Sequence, residues 1–151
     1  MSKDTQALLT MLETTEVFKD EEIRIAEELL EDYLNTQNPT DYRFYSYESE
    51  NGKIDGFACF GATHISKGTY DFFWLVVDPK KQRSGIGIEL MIFIEEIIRK
   101  EQGRLIIVET SSVELYKPAR KFYEKNGYQL LARIKDYYNI DDDLIIYGKY
   151  L

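Results

Sequence analysis

The chain has 151 residues, 44% of them hydrophobic and 30% charged, which fits one domain around its own core and excludes a fibre or a disordered chain. A net charge of −8 repels nucleic-acid phosphate over most of the surface and suits a cationic partner. A single cysteine, Cys59, and a single histidine, His64, leave no donors for an internal disulfide, a Cys-rich or His-based metal site or a Ser-His-Asp triad.

No apolar run reaches membrane-spanning length, and the first residues lack a signal-peptide core, so a cytoplasmic protein without membrane contact is expected. In chain order, Thr5 to Glu13 place Leu8, Leu9 and Leu12 at helical spacing. A second helix starts near Asp20, where Asp20, Glu21 and Glu22 complement the positive end of the helix dipole. Ile23, Ala26, Leu30, Tyr33 and Leu34 form its apolar face, and Pro39 ends the polar stretch behind it. The aromatic-rich segment from Tyr42 to Ala62 breaks at Asn51-Gly52, a hairpin signal because both residues tolerate positive φ. "TYDFFWLVVD", Thr69 to Asp78, reads as a long strand stopped by Pro79.

From Gly85 the period becomes helical. Ile86, Leu90, Met91, Ile94, Ile97 and Ile98 line a buried face, Glu89, Glu95, Glu96, Arg99 and Lys100 stay on the polar one, and Gly103 is the expected stop. "RLIIVET", Arg104 to Thr110, is a buried strand that completes a right-handed parallel crossover. "PARKFYEKNG" gives another helix with Gly127 as its C′ residue, and "YQLLARIKDYY" and "DDLIIYGKYL" give two closing strands. The fold class is α+β: one central strand–helix–strand unit in a mixed, mostly antiparallel sheet.

The loop "QRSGIG", Gln82 to Gly87, carries the chemistry. It lacks the third glycine of a dinucleotide fingerprint and the Lys-Ser/Thr of a triphosphate loop. What remains is a strand–turn–helix with Lys80, Lys81 and Arg83 beside it. Such a turn offers unpaired N–H groups to an anion at a helix N-terminus, and its glycines let a diphosphate come close.

With "VVDPKKQRSGIG" the chain resembles the GCN5-related N-acetyltransferases, the GNAT family, whose acyl-CoA motif Gln/Arg-x-x-Gly-x-Gly/Ala is met at Gln82, Gly85 and Gly87. "ETSSVELYKPARKFYEKNGY" is similar to the family's next strand and helix. The sharp motifs occupy Trp74 to Tyr128, and the likeness of fold extends from about Phe44 to the C-terminus. The resemblance implies a GNAT-type fold over a single domain, residues 1–151, with acetyl-CoA as co-substrate and no metal. Backbone amides of Gln82, Arg83, Ser84, Gly85, Ile86, Gly87 and Ile88 would cradle its pyrophosphate, and Val76 and Val77 would pair with the pantetheine arm as an added strand. An N–H of Val77 or a neighbour would polarise the thioester carbonyl.

The resemblance makes Glu109 the proton acceptor, with Glu114 and Asp71 as alternatives, and Tyr123 the acid that would protonate the departing thiolate. It also shows a departure. The asparagine of many relatives that contacts pantetheine falls on Tyr116, and Ser111, Ser112 or Tyr116 is left to replace it. Arg120 meets the CoA phosphates or faces solvent. Tyr45, Asp71, Tyr116 and Tyr137 are the expected acceptor contacts, within an acidic, aromatic set that also holds Tyr47, Tyr70 and the stretch from Asp136 to Asp143, suited to an ammonium. His64 and Cys59 receive no role.

The expected activity is acetyl transfer to a primary amine of a small cationic molecule in a ternary complex. The alternatives are a protein or peptide amine as acceptor, and a non-catalytic acyl-CoA sensor. Family likeness also allows a homodimer.

Overall fold

Apolar spacing at the start of the chain becomes two helices, α1 (Lys3–Thr14) and α2 (Asp20–Asn35). Lys19 caps α2 through its backbone N–H, which donates to Glu22 Oε2 at 2.8 Å. The computed structural model describes residues 3–36 and 42–151; Pro39 lies outside them. Six strands follow: β1 (Arg43–Glu48), β2 (Ile54–Ala62), β3 (Thr69–Val77), β4 (Leu105–Ser111), β5 (Gln129–Asn139) and β6 (Asp142–Tyr150). Helices α3 (Ile86–Lys100) and α4 (Lys117–Lys125) join β3 to β4 and β4 to β5.

The sheet order is β1-β2-β3-β4-β6-β5. Only β3 and β4 are parallel, as a helical crossover requires; every other neighbour pair is antiparallel. The sheet is therefore the mixed, mostly antiparallel one expected. On one face Phe60, Phe72 and Ile106 pack against Met91, Ile94 and Ile98 of α3 and Tyr123 of α4. The other packs Phe57 and Val76 against Leu8, Leu12, Ala26 and Leu30 of α1 and α2. Full burial of such a side chain stabilises by about 1.5–3 kcal/mol.

The β1–β2 hairpin breaks where expected, and one helix end differs from its sequence reading. At the β1–β2 hairpin only Gly52 takes positive φ (75°), because Gly52 N–H closes a turn on the Ser49 carbonyl at 2.8 Å and Asn51 keeps an ordinary conformation. At the end of α3 the left-handed residue is Gln102 (φ 62°), not Gly103. Gln102 N–H bonds Arg99 O at 3.0 Å and Gly103 N–H bonds Ile98 O at 2.8 Å, the paired closure of a Schellman motif. Gly103 is needed for space instead, since a Cβ there would meet Ile98 Cγ2 at 2.2 Å. Gly127 (φ 87°) is the C′ residue of α4.

Glu95 is a further correction. Expected on the polar face of α3, it is 3% exposed. Lys149 Nζ donates to both its oxygens at 2.9 Å and Tyr128 OH donates to Oε1 at 3.2 Å, so a buried charge is balanced where the helix meets β6.

Candidate active site

The parallel ladder between β3 and β4 is short. Thr69, Tyr70 and Asp71 pair with Leu105, Ile106 and Ile107, and beyond them the strands part while β4 continues with β6 as far as Ser111↔Leu144. A bulge sets the parting. Cys59 pairs with Trp74 but Phe60 with Phe72, leaving Phe73 unmatched on β3, and a bulge bends a strand and strengthens its twist.

Past the bulge β3 has an open side. Asp78 N–H bonds Asp55 O at 2.9 Å, and Val77 faces Gly56 in the same register. Antiparallel alternation then directs the backbone groups of Val76 to β2 and those of Val77 and Leu75 into the gap. At the far end of β3, the Asp78 carboxylate accepts from Lys80 N–H at 2.9 Å and from Lys53 Nζ at 2.8 Å. Both bonds hold its carboxyl below the usual range and fix the direction of the chain into the glycine turn.

In that turn Arg83 (φ 65°) and Gly85 (φ 93°) are both left-handed, and Gln82, Arg83 and Ser84 are exposed. The first bond of α3 runs from Glu89 N–H to Gly85 O at 3.0 Å, so the N–H groups of Ile86, Gly87 and Ile88 have no partner within the helix. The two glycines differ. Gly85 is demanded by its φ, whereas a Cβ on Gly87 would make ordinary contacts of 3.5–3.6 Å with Phe122 and Val77. Packing alone leaves room for a side chain at Gly87, so its lack matters to what approaches from outside. Lys81 leans on the buried Asp55 carboxylate at 3.7 Å.

The gap opens into a cavity of about 300 Å³. Glu109 lines it; loss of water around its carboxyl and, secondarily, the charge of Asp71 push its pKa up. Tyr123 reaches the same cavity from α4. Its ring is buried against Tyr128 and Tyr147, and burial pushes its pKa up to about 12. Tyr116 also lines the cavity, its hydroxyl within hydrogen-bond reach of two acceptors, Val17 O at 3.1 Å and Glu22 Oε2 at 3.0 Å, which ties the β4–α4 connection to the start of α2.

Not every sequence-selected residue gathers here. Asp71 stands one step before the strands part and accepts Thr63 Oγ1 at 2.7 Å. Tyr45 packs on Phe60 and Phe93, beneath α3, and Tyr70 donates to Glu101 at 2.9 Å. Tyr137 is exposed, and its neighbour Tyr138 is the one on the cavity. Glu114 pairs with Lys117 on the surface. Arg120 donates to the carbonyls of Ser111 and Val113 at 2.6 and 2.8 Å, so it secures the end of β4. Burial in the core raises the Cys59 thiol pKa well above its ordinary value. Sequence reasoning missed Phe18, Lys19, Phe73 and Trp74, which also line the cavity; a long aromatic strand running into the glycine turn was the one available signal for the last two.

The family model for the acetyltransferase (GNAT) domain matches residues 40–130. This chain belongs to the GNAT family. A GNAT-family protein from Desulfovibrio desulfuricans is 34% identical and superposes with a TM-score of 0.91 over 99% of this chain and 94% of its own. An aminoglycoside 6'-N-acetyltransferase complexed with coenzyme A (19% identity, TM-score 0.73, 98% and 89% covered) shares the fold. So does the aminoglycoside 6'-N-acetyltransferase from Enterococcus faecium (18%, 0.74, 97% and 89%). No curated protein matches the sequence significantly. As a GNAT protein the chain is an acyl-CoA-dependent N-acetyltransferase. Among its described residues no helix is long and apolar enough to cross a membrane.

Proposed function

We propose that the chain, as one domain over residues 1–151, moves an acetyl group from acetyl-CoA directly to a primary amine of a small cationic molecule. The observation that carries this reading is the meeting of Glu109 and Tyr123 on one cavity, just beyond the last parallel pair, Asp71↔Ile107. Acetyl-CoA supplies an acetyl group activated as a thioester. The unpartnered N–H groups of Ile86, Gly87 and Ile88, with the exposed turn from Gln82 to Ser84, would hold its pyrophosphate. The outward backbone of Val77 and Leu75 would pair with the pantetheine arm; Val76, expected to share that pairing, turns its backbone groups to β2 instead and holds this edge of β3 in place.

The residues then divide the chemistry. The free N–H of Leu75 or Val77 donates to the carbonyl oxygen as negative charge gathers there. Glu109 accepts the proton of the attacking amine, directly or through water; its raised pKa makes it a better base than an ordinary carboxylate, while the amine, at about 10, still has to be deprotonated. Tyr123 keeps its proton across the physiological range, with a pKa pushed up to about 12. A thiol near 8.5 is the stronger acid, so Tyr123 stabilises the departing sulfur by hydrogen bonding rather than by surrendering its proton outright.

A small acceptor is supported by the size of the cavity, about 300 Å³, with Phe18, Glu22 and Tyr138 among its walls. Its negative and aromatic walls, with Glu21, Glu22, Glu109 and Trp74, favour an ammonium over an anion. The aminoglycoside acetyltransferases of this fold set a precedent for amine-rich small molecules. The test is the free-thiol signal when protein and acetyl-CoA meet a panel of polyamines, aminoglycosides, amino acids and peptides with free N-termini. Release of CoA with small amines and not with peptides is expected. Release with peptides alone would make the acceptor a polypeptide, and acetyl-CoA binding without release would make the protein a sensor.

A further inference from the structure

The acceptor side of the cavity already holds a cation. Lys19, in the link between α1 and α2, extends its ammonium over the Tyr138 ring, 5.6 Å from the centroid, within the range of a cation–π contact. The same ammonium lies 3.4 Å from Asp142 Oδ2. Asp142 is buried, and its other oxygen accepts from Ser111 Oγ. The Lys19 side chain is 53% exposed, so it can swing into solvent at small cost.

Tyr138 does not reach this corner as part of a regular strand. Pairing jumps from Ile134↔Leu144 to Asn139↔Asp142, so Lys135 to Tyr138 stand opposite Asp143 alone. Asp143 fastens the bulge. Its Oδ1 accepts Asp136 N–H at 2.9 Å, its Oδ2 accepts Arg133 Nε, and its own N–H donates to Ser112 Oγ at 2.8 Å. Asp136 is left-handed (φ 52°) and accepts Asp141 N–H at 2.9 Å. The kink sends Tyr138 into the cavity and leaves Tyr137 outside. Glu109 and Glu22 lie near enough for their charges to help burial raise the Tyr138 hydroxyl to about 12.

Resting on the acetyl-transfer reading, we propose that Tyr138 and Asp142 form a cation seat for the acceptor, which Lys19 fills in the free protein and a second ammonium of the acceptor takes over. The acceptor class is then a diamine. One amino group faces Glu109, and the other replaces Lys19 on the ring.

Trp74 is the one tryptophan of the chain and lines the same cavity, so its emission reports occupancy. Tetramethylammonium, which cannot be acetylated, is titrated at fixed ionic strength. Lys19→Ala empties the seat and is expected to bind the probe roughly three- to thirtyfold more tightly, the span of a cation–π contact from exposed to desolvated. Adding Tyr138→Ala to it abolishes the gain, and Tyr138→Phe, which keeps the ring, retains it. Tyr138 is 43% exposed, so both replacements leave the core intact, and far-UV circular dichroism checks this. No gain in Lys19→Ala, or a gain that survives Tyr138→Ala, overturns the seat.

Initial rates with 1,4-diaminobutane and 1-aminobutane separate this inference from the reading beneath it. A preference of at least about tenfold in kcat/KM for the diamine, lost through KM in Tyr138→Ala, supports the seat. Equal use of the two amines overturns the seat and leaves acetyl transfer standing. Seat behaviour with tetramethylammonium but no CoA release with any amine supports the seat and overturns acetyl transfer.

Discussion

The glycine turn and the cavity beside Glu109 are built from different materials. The turn is backbone: free N–H groups at Ile86, Gly87 and Ile88, one left-handed glycine, and a carboxylate, Asp78, that aims the chain into it. The cavity is side chains drawn from elements far apart in the chain, Glu22, Trp74, Glu109, Tyr123 and Tyr138 among them. A backbone site tolerates change in its side chains and fails only when something fills the space. A side-chain site changes with each substitution, so the cavity can be retuned while the glycine turn stays as it is.

The sharpest way to break that contrast is Gly87→Asp. The chain should fold, because a Cβ at Gly87 meets only ordinary contacts, but a carboxylate at the helix start repels a diphosphate. Calorimetry should show acetyl-CoA affinity falling by about two orders of magnitude or more; unchanged affinity would move the cofactor elsewhere. On the cavity side, Glu109→Gln should lower kcat by roughly a hundredfold, within the usual range for a general base, with partial recovery at alkaline pH where free amine is plentiful.

The sign of the stability effect is the reverse of an ordinary paired carboxylate. The folded-state pKa of Glu109 lies above its unfolded value, so the folded state binds the proton more tightly and loses stability as pH rises through the window between the two. Glu109→Gln should therefore melt no lower than the wild type at neutral pH, and a clear drop would assign Glu109 a structural role. Tyr123→Phe comes next. Its hydroxyl has no protein partner among the described residues, so stability should hold while kcat falls about tenfold and KM stays put. The smallest effect belongs to Gly87→Ala, with an unchanged melting point and a loss of acetyl-CoA affinity of up to about tenfold, since a methyl narrows the approach without repelling the diphosphate; no loss at all would mean that the diphosphate does not approach that Cα.

The same contrast governs what could be read in advance. The strand–turn–helix around Gly85 and Gly87 was legible because strand, proline, turn and helix are contiguous, and the helix end at Gly127 was equally plain. Gly103 misled because a glycine one place late satisfies the helix-stop pattern, while the space it vacates for Ile98 depends on tertiary packing. Glu95 read as solvated because its counter-charge, Lys149, is 54 residues away. Tyr137 and Tyr138 could not be told apart, since alternation decides between them only where the strand is regular. Lys19 gave no signal at all, because a lysine at a helix start looks the same whether its ammonium meets water or a ring.

The irregularity of β5 has a consequence beyond the cavity. This strand is the outer rim of the sheet, exposed along its whole length with Leu130, Leu131 and Ile134 bare, and such a rim invites foreign strands to add on. Its ladder slips at Leu131 and again between Ile134 and Asn139, and Arg133 and Lys135 charge the stretch between. A polypeptide laid along it would lose register twice within a few residues. The distortion that turns one tyrosine inward thus also guards the protein against growing into a fibril from its own margin.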